Sequence, residues 1–420
     1  MNKAILPAED RRRLRELAKK QLEYSMLPEM KEREERWYRH NDLKGEIPMI
    51  HFETWPLEGE LLPELKCETD LGRYIEHVLL SNMLNHEKIG DDKVVPGTFD
   101  IGWNRSMTLF GIEISREHSK DSMGRELGYH TLHPIKDLRN DIELLKPSVY
   151  TADKEATLEW KETVEDILGD ILPVRLAMGS PSASLSQCVV HLMGMEAMIY
   201  SMIDYPNEFH VLMDRITNDH IEYFRWLEDE SLLLLNNGSN LVQQGSFGYT
   251  RDLPGEGWSP EKGISLENLW LYMDSQETVS ISPAMFGEFF FPYYKKIAEN
   301  FGLLSYGCCE PVHGIWDKYI STMPNLRKVS ISAWCDEKHM GEALKGSKVI
   351  YQRKPSPNFI GVGKELDEAA FSEHILKTLK CAQGCKLEIT FRDIYTLEGN
   401  TDKPRRAVEI IRELIDRHWK

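Results

Sequence analysis

The stretch YGCCEPVHG, Tyr306 to Gly314, puts two cysteines, a glutamate and a histidine within six consecutive positions, Cys308 to His313. Thiolate, carboxylate and imidazole are the donors that zinc prefers, and a catalytic zinc keeps three protein ligands and one open position. Neighbouring residues of a strand point to opposite faces, so only one of the two sulfurs can serve while the strand continues. Cys309, nearer the strand end, is read as the ligand and Cys308 as packing. Cys308 and His313 remain alternates, and the plain reading of His313 is a helix-capping or surface histidine. Glu310 is open to three roles: ligand, partner of a ligand, or a charge favoured by the start of the following helix. A buried free cysteine can also be no more than a small hydrophobe.

Further chemistry-bearing residues recur after short apolar runs, from Glu53 to Asp393. Glu53 and Trp55 follow IPMIHF, Ser180 follows ILPVRLAMG, and Gln243 and Gln244 stand in NLVQQGS. Asp274 and Glu277 end LENLWLYMDSQE, Cys335 and Asp336 follow LRKVSIS, Arg353 and Lys354 end KVIYQRK, and Arg392 and Asp393 follow KLEITF. The metal candidates are Cys309, Cys335 and Glu277. Glu277, Glu310 and Asp393 are the carboxyl groups that could move protons. Trp55, Gln243, Tyr306, Arg353 and Arg392 are the substrate-binding candidates, the arginines for an anionic group and the aromatics for a flat or apolar one. Ordinary alternatives stand beside each: an exposed loop carboxylate for Glu277, a local ion pair for Arg392 and Asp393, core packing for most of the aromatics.

The apolar runs alternate with helical patterns, which predicts parallel β/α units. Eight strands are expected, in the regions 47–53, 171–181, 240–246, 266–277, 303–310, 326–332, 348–355 and 386–392. That is the count of an α/β fold of the (β/α)8 TIM-barrel type, whose chemistry gathers at the carboxyl ends of the strands. Residues 1–46 read as a helical extension and 47–420 as the barrel, with 57–168 as a long cap or insertion after the first strand. Strands are also expected at Gly97–Trp103 and Leu109–Ser115. Ser282 and Pro283 open a helix that Gly302 stops. A doubly wound open sheet is the competing architecture, but the G-x-G-x-x-G phosphate loop is missing.

The 420 residues carry a net charge of −17, with 41% hydrophobic and 28% charged residues, the balance of a globular chain. A global basic footprint for nucleic acid is absent. No run of about 18 apolar residues predicts a membrane span, and the N-terminus does not read as a signal peptide. Seven cysteines, an odd number, suggest reduced thiols and a cytoplasmic protein rather than a disulfide scaffold.

The segment SQETVSISPAMFGEFFFPYYKKIAENFGLLSYGCCE resembles part of the uroporphyrinogen decarboxylase superfamily. The pattern SP-x-M-F-x-E-F-x-x-P-Y-x-K-x-I is matched by Ser282, Pro283, Met285, Phe286, Glu288, Phe289, Pro292, Tyr293, Lys295 and Ile297. The resemblance runs from Leu172 to Lys420, with the strand at Met49. It implies a zinc-type methyltransferase that moves a methyl group from a small O- or N-methylated donor to a corrinoid carried by a partner protein, or to a thiol. The family's H-x-C places its cysteine on Cys309 but its histidine on Gly307, so Glu277, Cys335 or Asp393 would complete the zinc. The later family cysteine falls near Arg392 and Asp393, where there is none. The alternatives are a metal-independent decarboxylase or lyase using Arg353, Lys354 and Arg392 on carboxylates, and a non-catalytic small-molecule binding protein. The decarboxylase reading lacks the family's N-terminal arginine segment; Glu53 and Trp55 stand there instead. A homodimer is left open.

Overall fold

The computed structural model describes residues 6–120, 126–242 and 244–419. Gln243, expected to bind substrate, lies outside the described residues. Seven parallel strands make one sheet: β1 (Met49–Phe52), β2 (Ser182–Ala183), β3 (Trp270–Met273), β4 (Leu303–Tyr306), β5 (Leu326–Ile331), β6 (Ile350–Arg353) and β7 (Leu387–Phe391). Their spatial order is β1-β7-β6-β5-β4-β3-β2. The α/β class is as expected, but the hydrogen-bonded sheet has two ends rather than eight strands in a closed ring.

Two of the expected strands are absent from this sheet. Residues Val174–Leu176 pair instead with Phe99–Ile101, in a separate two-stranded parallel sheet. In the 240–246 region Gln244 and Gly245 form a turn, and Leu241 makes only an isolated bridge to Phe247. Next to β1, the position of a further strand is taken by Asp91 and Asp92. The Asp92 amide donates to the Ile50 carbonyl at 2.9 Å, and the two carboxylates accept the Ile50 and Phe52 amides at 2.8 and 2.7 Å. The free edge is thereby capped by side chains, which blocks further strand pairing.

Strand parity separates two environments. One face carries Ile50, Phe52, Leu271, Met273, Leu304, Tyr306, Val329, Ile331, Tyr351, Leu387, Ile389 and Phe391, all within the main apolar core beneath the helices. The opposite, inner face carries His51, Lys328, Ser330, Gln352, Glu388 and Thr390, all buried polar groups. Lys328 Nζ lies 3.0 Å from Glu388 Oε2, 3.1 Å from the Phe247 carbonyl and within 5.7 Å of both the Trp37 and Trp270 rings, and it also donates to Ser246 Oγ. Glu388 and Trp270 belong to strands two places away on either side of β5. With strands nearly 5 Å apart, one ammonium touches both only because the sheet curves around it.

A second core joins helices Ala8–Ser25, Asp70–Leu84 and Lys154–Leu168 with the Phe99–Ile101 pair. Helix Pro28–Asn41 instead reaches the inner face, where Trp37 packs with Met49, Phe247 and Tyr249. The segment expected as a strand at 109–115 begins with a turn at Leu109–Gly111, because Phe110 and Gly111 both take positive φ, 57° and 66°. Ser282 caps its helix as expected, its Oγ accepting the Met285 amide at 3.2 Å. That helix is broken at Phe290 into Pro283–Phe289 and Phe291–Ala298, Pro292 standing in the first turn of the second. No described helix is long and apolar enough to cross a membrane.

Glu388 is held down to about 2 because Lys328, with help from His40, outweighs the burial that would raise it. Its folded value lies below the ordinary 4.5, so its contribution to stability is present above pH 4.5 and is lost as the pH falls toward 2. Lys328→Met leaves Glu388 buried and unpaired. Urea denaturation at pH 7 is expected to show a loss of about 3–5 kcal/mol, and the acid limb of the stability curve should weaken with it.

Candidate functional site

The carboxyl-terminal ends of β1, β3, β4, β6 and β7 converge where the inner polar face opens to solvent. Strand β4 stops at Tyr306, and Gly307 turns the chain at φ 100°. The alternation that would send Cys308 and Cys309 to opposite faces has therefore ended. The two sulfurs lie 3.6 Å apart, with Cys308 buried and Cys309 half-buried.

Glu310 fixes this turn. Its Oε2 accepts the Cys308 amide at 2.7 Å and its Oε1 accepts the Ser275 amide at 2.9 Å, tying the loop after β4 to the loop after β3. Burial, with Asp274 nearby, raises its carboxyl to about 7. The Cys308 carbonyl is held by Ser330 Oγ at 2.8 Å and Lys354 Nζ at 3.0 Å. Lys354 also donates to Gln244 Oε1 at 3.1 Å. Gln244 takes a left-handed φ of 54°, and its carbonyl accepts from Gln352 at 3.0 Å. The next residue, Gly245, has φ 73° and no room for a side chain: a Cβ would stand 2.5 Å from Thr390 Cγ2.

The thiols support two proton arrangements. With both protonated, Cys308 donates to Gln244 Oε1 at 3.2 Å and Cys309 donates to Asp393 Oδ2 at 3.6 Å. With Cys309 ionised, the Cys308 thiol turns to it instead. That hydrogen bond lowers Cys309 below the usual thiol range, against burial and with help from the positive charge of Lys354. The same bond raises Cys308, whose proton is retained, and burial adds to this. Of the two, Cys309 is the thiol whose ionised form is favoured.

Around the thiols, Arg392 Nε lies 3.2 Å from Asp393 Oδ1 and 3.7 Å from Glu53 Oε2. On the β3 side, Tyr272 donates to Asp274 Oδ2 at 2.7 Å, and Ser186 Oγ donates to Glu277 Oε2 at 2.7 Å. Burial raises both Asp274 and Glu277. Glu277 is the half-buried one and so the one that solvent or a ligand can reach.

Several sequence expectations are redirected. Arg353 points to the outer face, 1% exposed, 3.1 Å from Glu337 and bonded to the Ile331 and Ser332 carbonyls, so it cannot line the site. Parity gives the inner position to Lys354. Tyr306 also faces outward, fully buried against Tyr294, its hydroxyl 2.6 Å from Ser275 Oγ. Trp270, Phe247 and Tyr249 pack inside, and Trp55 is 59% exposed. His313 Nδ1 accepts the Asp336 amide at 3.2 Å, away from the sulfurs. Cys335 rests on Ser332 Oγ at 3.7 Å and the Glu310 carbonyl at 3.8 Å, raised by burial.

The expected zinc set of Cys309, Cys335 and Glu277 is thus divided among different partners. Among the described residues no group of three or more His, Cys, Asp or Glu side chains is arranged to hold a metal ion. As placed, the donor set does not fit a zinc. Ser186 and Ser275, which orient Glu277 and Tyr306, carried no signal in the sequence; each is an ordinary serine until the fold brings a partner 91 or 31 positions away.

No family profile matches this chain, and no curated protein sequence does. The fold is similar to that of a methyltransferase from Methanosarcina mazei, at 14% identity and a TM-score of 0.48, covering 91% of this chain and 98% of that one. At that distance the site rests on its own geometry.

Alkylation by iodoacetamide at pH 7, followed by peptide mass mapping, is expected to modify Cys309 before the other cysteines. Cys308→Ala removes the hydrogen bond to the thiolate, and the Cys309 rate should fall roughly threefold or more.

Proposed function

We propose that this chain is a methyltransferase that takes a methyl group from a small O- or N-methylated donor, with the reacting centre beside Cys309. The observation that carries this reading is the Cys308–Cys309 thiol pair, with one sulfur retained as a thiol and the other activated, at the open end of the inner face. The resemblance of residues 275–310 to the uroporphyrinogen decarboxylase superfamily is in keeping with it.

Demethylating an ether or an amine requires a nucleophile at the methyl carbon and a proton at the leaving heteroatom. Glu277, whose carboxyl burial raises against the Ser186 hydrogen bond that orients it, is the acid in this reading. For an O-methyl donor the balance is simple. The Cys309 thiolate takes the CH3 group as the C–O bond breaks and the oxygen leaves as a hydroxyl with the Glu277 proton. The acceptor's thiolate or cob(I) centre then takes the CH3 group as the Cys309 S–C bond breaks and the thiolate is regenerated. The acceptor is a thiol or a corrinoid carried by a partner protein. Zinc was expected from the sequence; since its donors do not converge here, no step is routed through it. Glu310 acts as a clamp on the thiol loop rather than touching substrate.

The test supplies trideuteromethyl-labelled methoxyarenes and methylamines, with a small thiol or cob(I)alamin as acceptor. Labelled product is expected from wild type. Cys309→Ser should lower the rate by about 100-fold or more, and Glu277→Gln by about 100-fold for the ethers. An undiminished rate in Cys309→Ser would sink the proposal.

A further inference from the structure

Two lysines are buried on the inner face, and they differ in one respect. Lys328, 0% exposed, has the Glu388 carboxylate at 3.0 Å. Lys354, 4% exposed, donates to the Gln244 side-chain carbonyl and the Cys308 backbone carbonyl, which are both neutral. Among the described residues no carboxylate lies within 4.0 Å of its ammonium. An ammonium has three donors, and the third of Lys354 has no acceptor among them.

Burial lowers the Lys354 ammonium below the ordinary lysine range, and Arg392, a second cation at the opening, adds to this electrostatically. Arg392 uses only Nε toward Asp393 and Glu53, and neither of its terminal nitrogens has a hydrogen-bond acceptor among the described residues. With Cys309 protonated, Lys354 is a buried ammonium without a counter-ion, which costs several kcal/mol, and more with a like charge acting on it. Such an arrangement lowers the stability of the empty protein, and an anion between the two cations would offset it.

We infer that the methyl donor carries a carboxylate, bound between Lys354 Nζ and the free guanidinium nitrogens of Arg392, which places its methyl group beside Cys309. The inference rests on the methyl-transfer reading for the identity of the reactant, but the anion subsite stands on the two cations alone. A carboxylate matches because its two oxygens can accept from the lysine and the arginine together. Lys354 and Arg392 are then binding residues, while Gln244 positions the lysine.

The experiment reads thermal unfolding of the full chain with acetate, methoxyacetate and the neutral methoxyacetamide, against sodium chloride at equal ionic strength. Acetate and methoxyacetate should raise the Tm saturably, on the order of 2 °C near saturation, and methoxyacetamide should not. Lys354→Met should lose the shift, and its own Tm without ligand should exceed that of wild type, because an unpaired buried charge is gone. Arg392→Gln should weaken acetate binding by about tenfold. The inference is overturned if neither carboxylate gives a saturable shift, if both variants keep it, or if Lys354→Met is less stable than wild type, which would make the lysine a structural tie. Because the readout is binding, a positive result survives failure of the methyl-transfer assay, and a working assay with no carboxylate shift removes this inference alone.

Discussion

The buried ion pair between Lys328 and Glu388 is the contact around which the inner face is organised. Neither group is exposed, so neither can be left without the other. The lysine reaches two strands away on one side for its carboxylate and toward Trp270 on the other, which bends the sheet. Its other donors engage Ser246 and the Phe247 carbonyl, and so draw the 244–247 segment into the open side of the curve. Gln244 is carried to the opening by that same segment. The thiol site therefore depends on an ion pair at the opposite end of the inner face.

The two faces of the sheet obey different rules. The outer face is a continuous apolar surface against helices, stabilised by area removed from water. On the inner face buried polar groups stand among aromatic and aliphatic ones, and each polar group must find a specific partner. At the lower end most do: lysine with glutamate, Trp270 Nε1 with the Gly248 carbonyl at 2.9 Å, and the Asn41 amide with the Phe247 carbonyl at 2.9 Å, while His40 Nε2 and Asn41 Oδ1 have no hydrogen-bond partner. At the upper end, among the described residues, a lysine has no carboxylate within 4.0 Å, an arginine has idle donors, and a Glu53 oxygen has no hydrogen-bond partner.

The thiol pair owes its geometry to where the strand stops. Had β4 continued three more residues, through Cys309, the two cysteines would face opposite sides. Gly307 ends it with a backbone angle that a side chain rarely adopts, and Glu310 then anchors the turn through two amides. A carboxyl group in this position serves geometry first: it fixes Cys308 and Ser275, and through them the loops that present Cys309 and Glu277.

Much of the plan was legible in the sequence. Alternating apolar runs and helical patterns marked six of the seven sheet strands, because buried parallel strands read as short apolar segments. Chemistry placed just after those runs, at Cys309, Lys354, Arg392 and Asp393, does come together, because parallel strands deliver their carboxyl ends to one edge. The tertiary structure decided what spacing alone cannot. Whether Arg353 or Lys354 faces inward is a matter of parity set by register, and a one-residue difference reverses it. The missing eighth strand depended on Asp91 and Asp92 capping the edge of β1 from 40 positions away, contacts with no local signature. The separation of Cys309, Cys335 and Glu277 onto different partners, and the lack, among the described residues, of a carboxylate within 4.0 Å of Lys354, likewise follow from distances between loops remote in sequence, which only the folded chain sets.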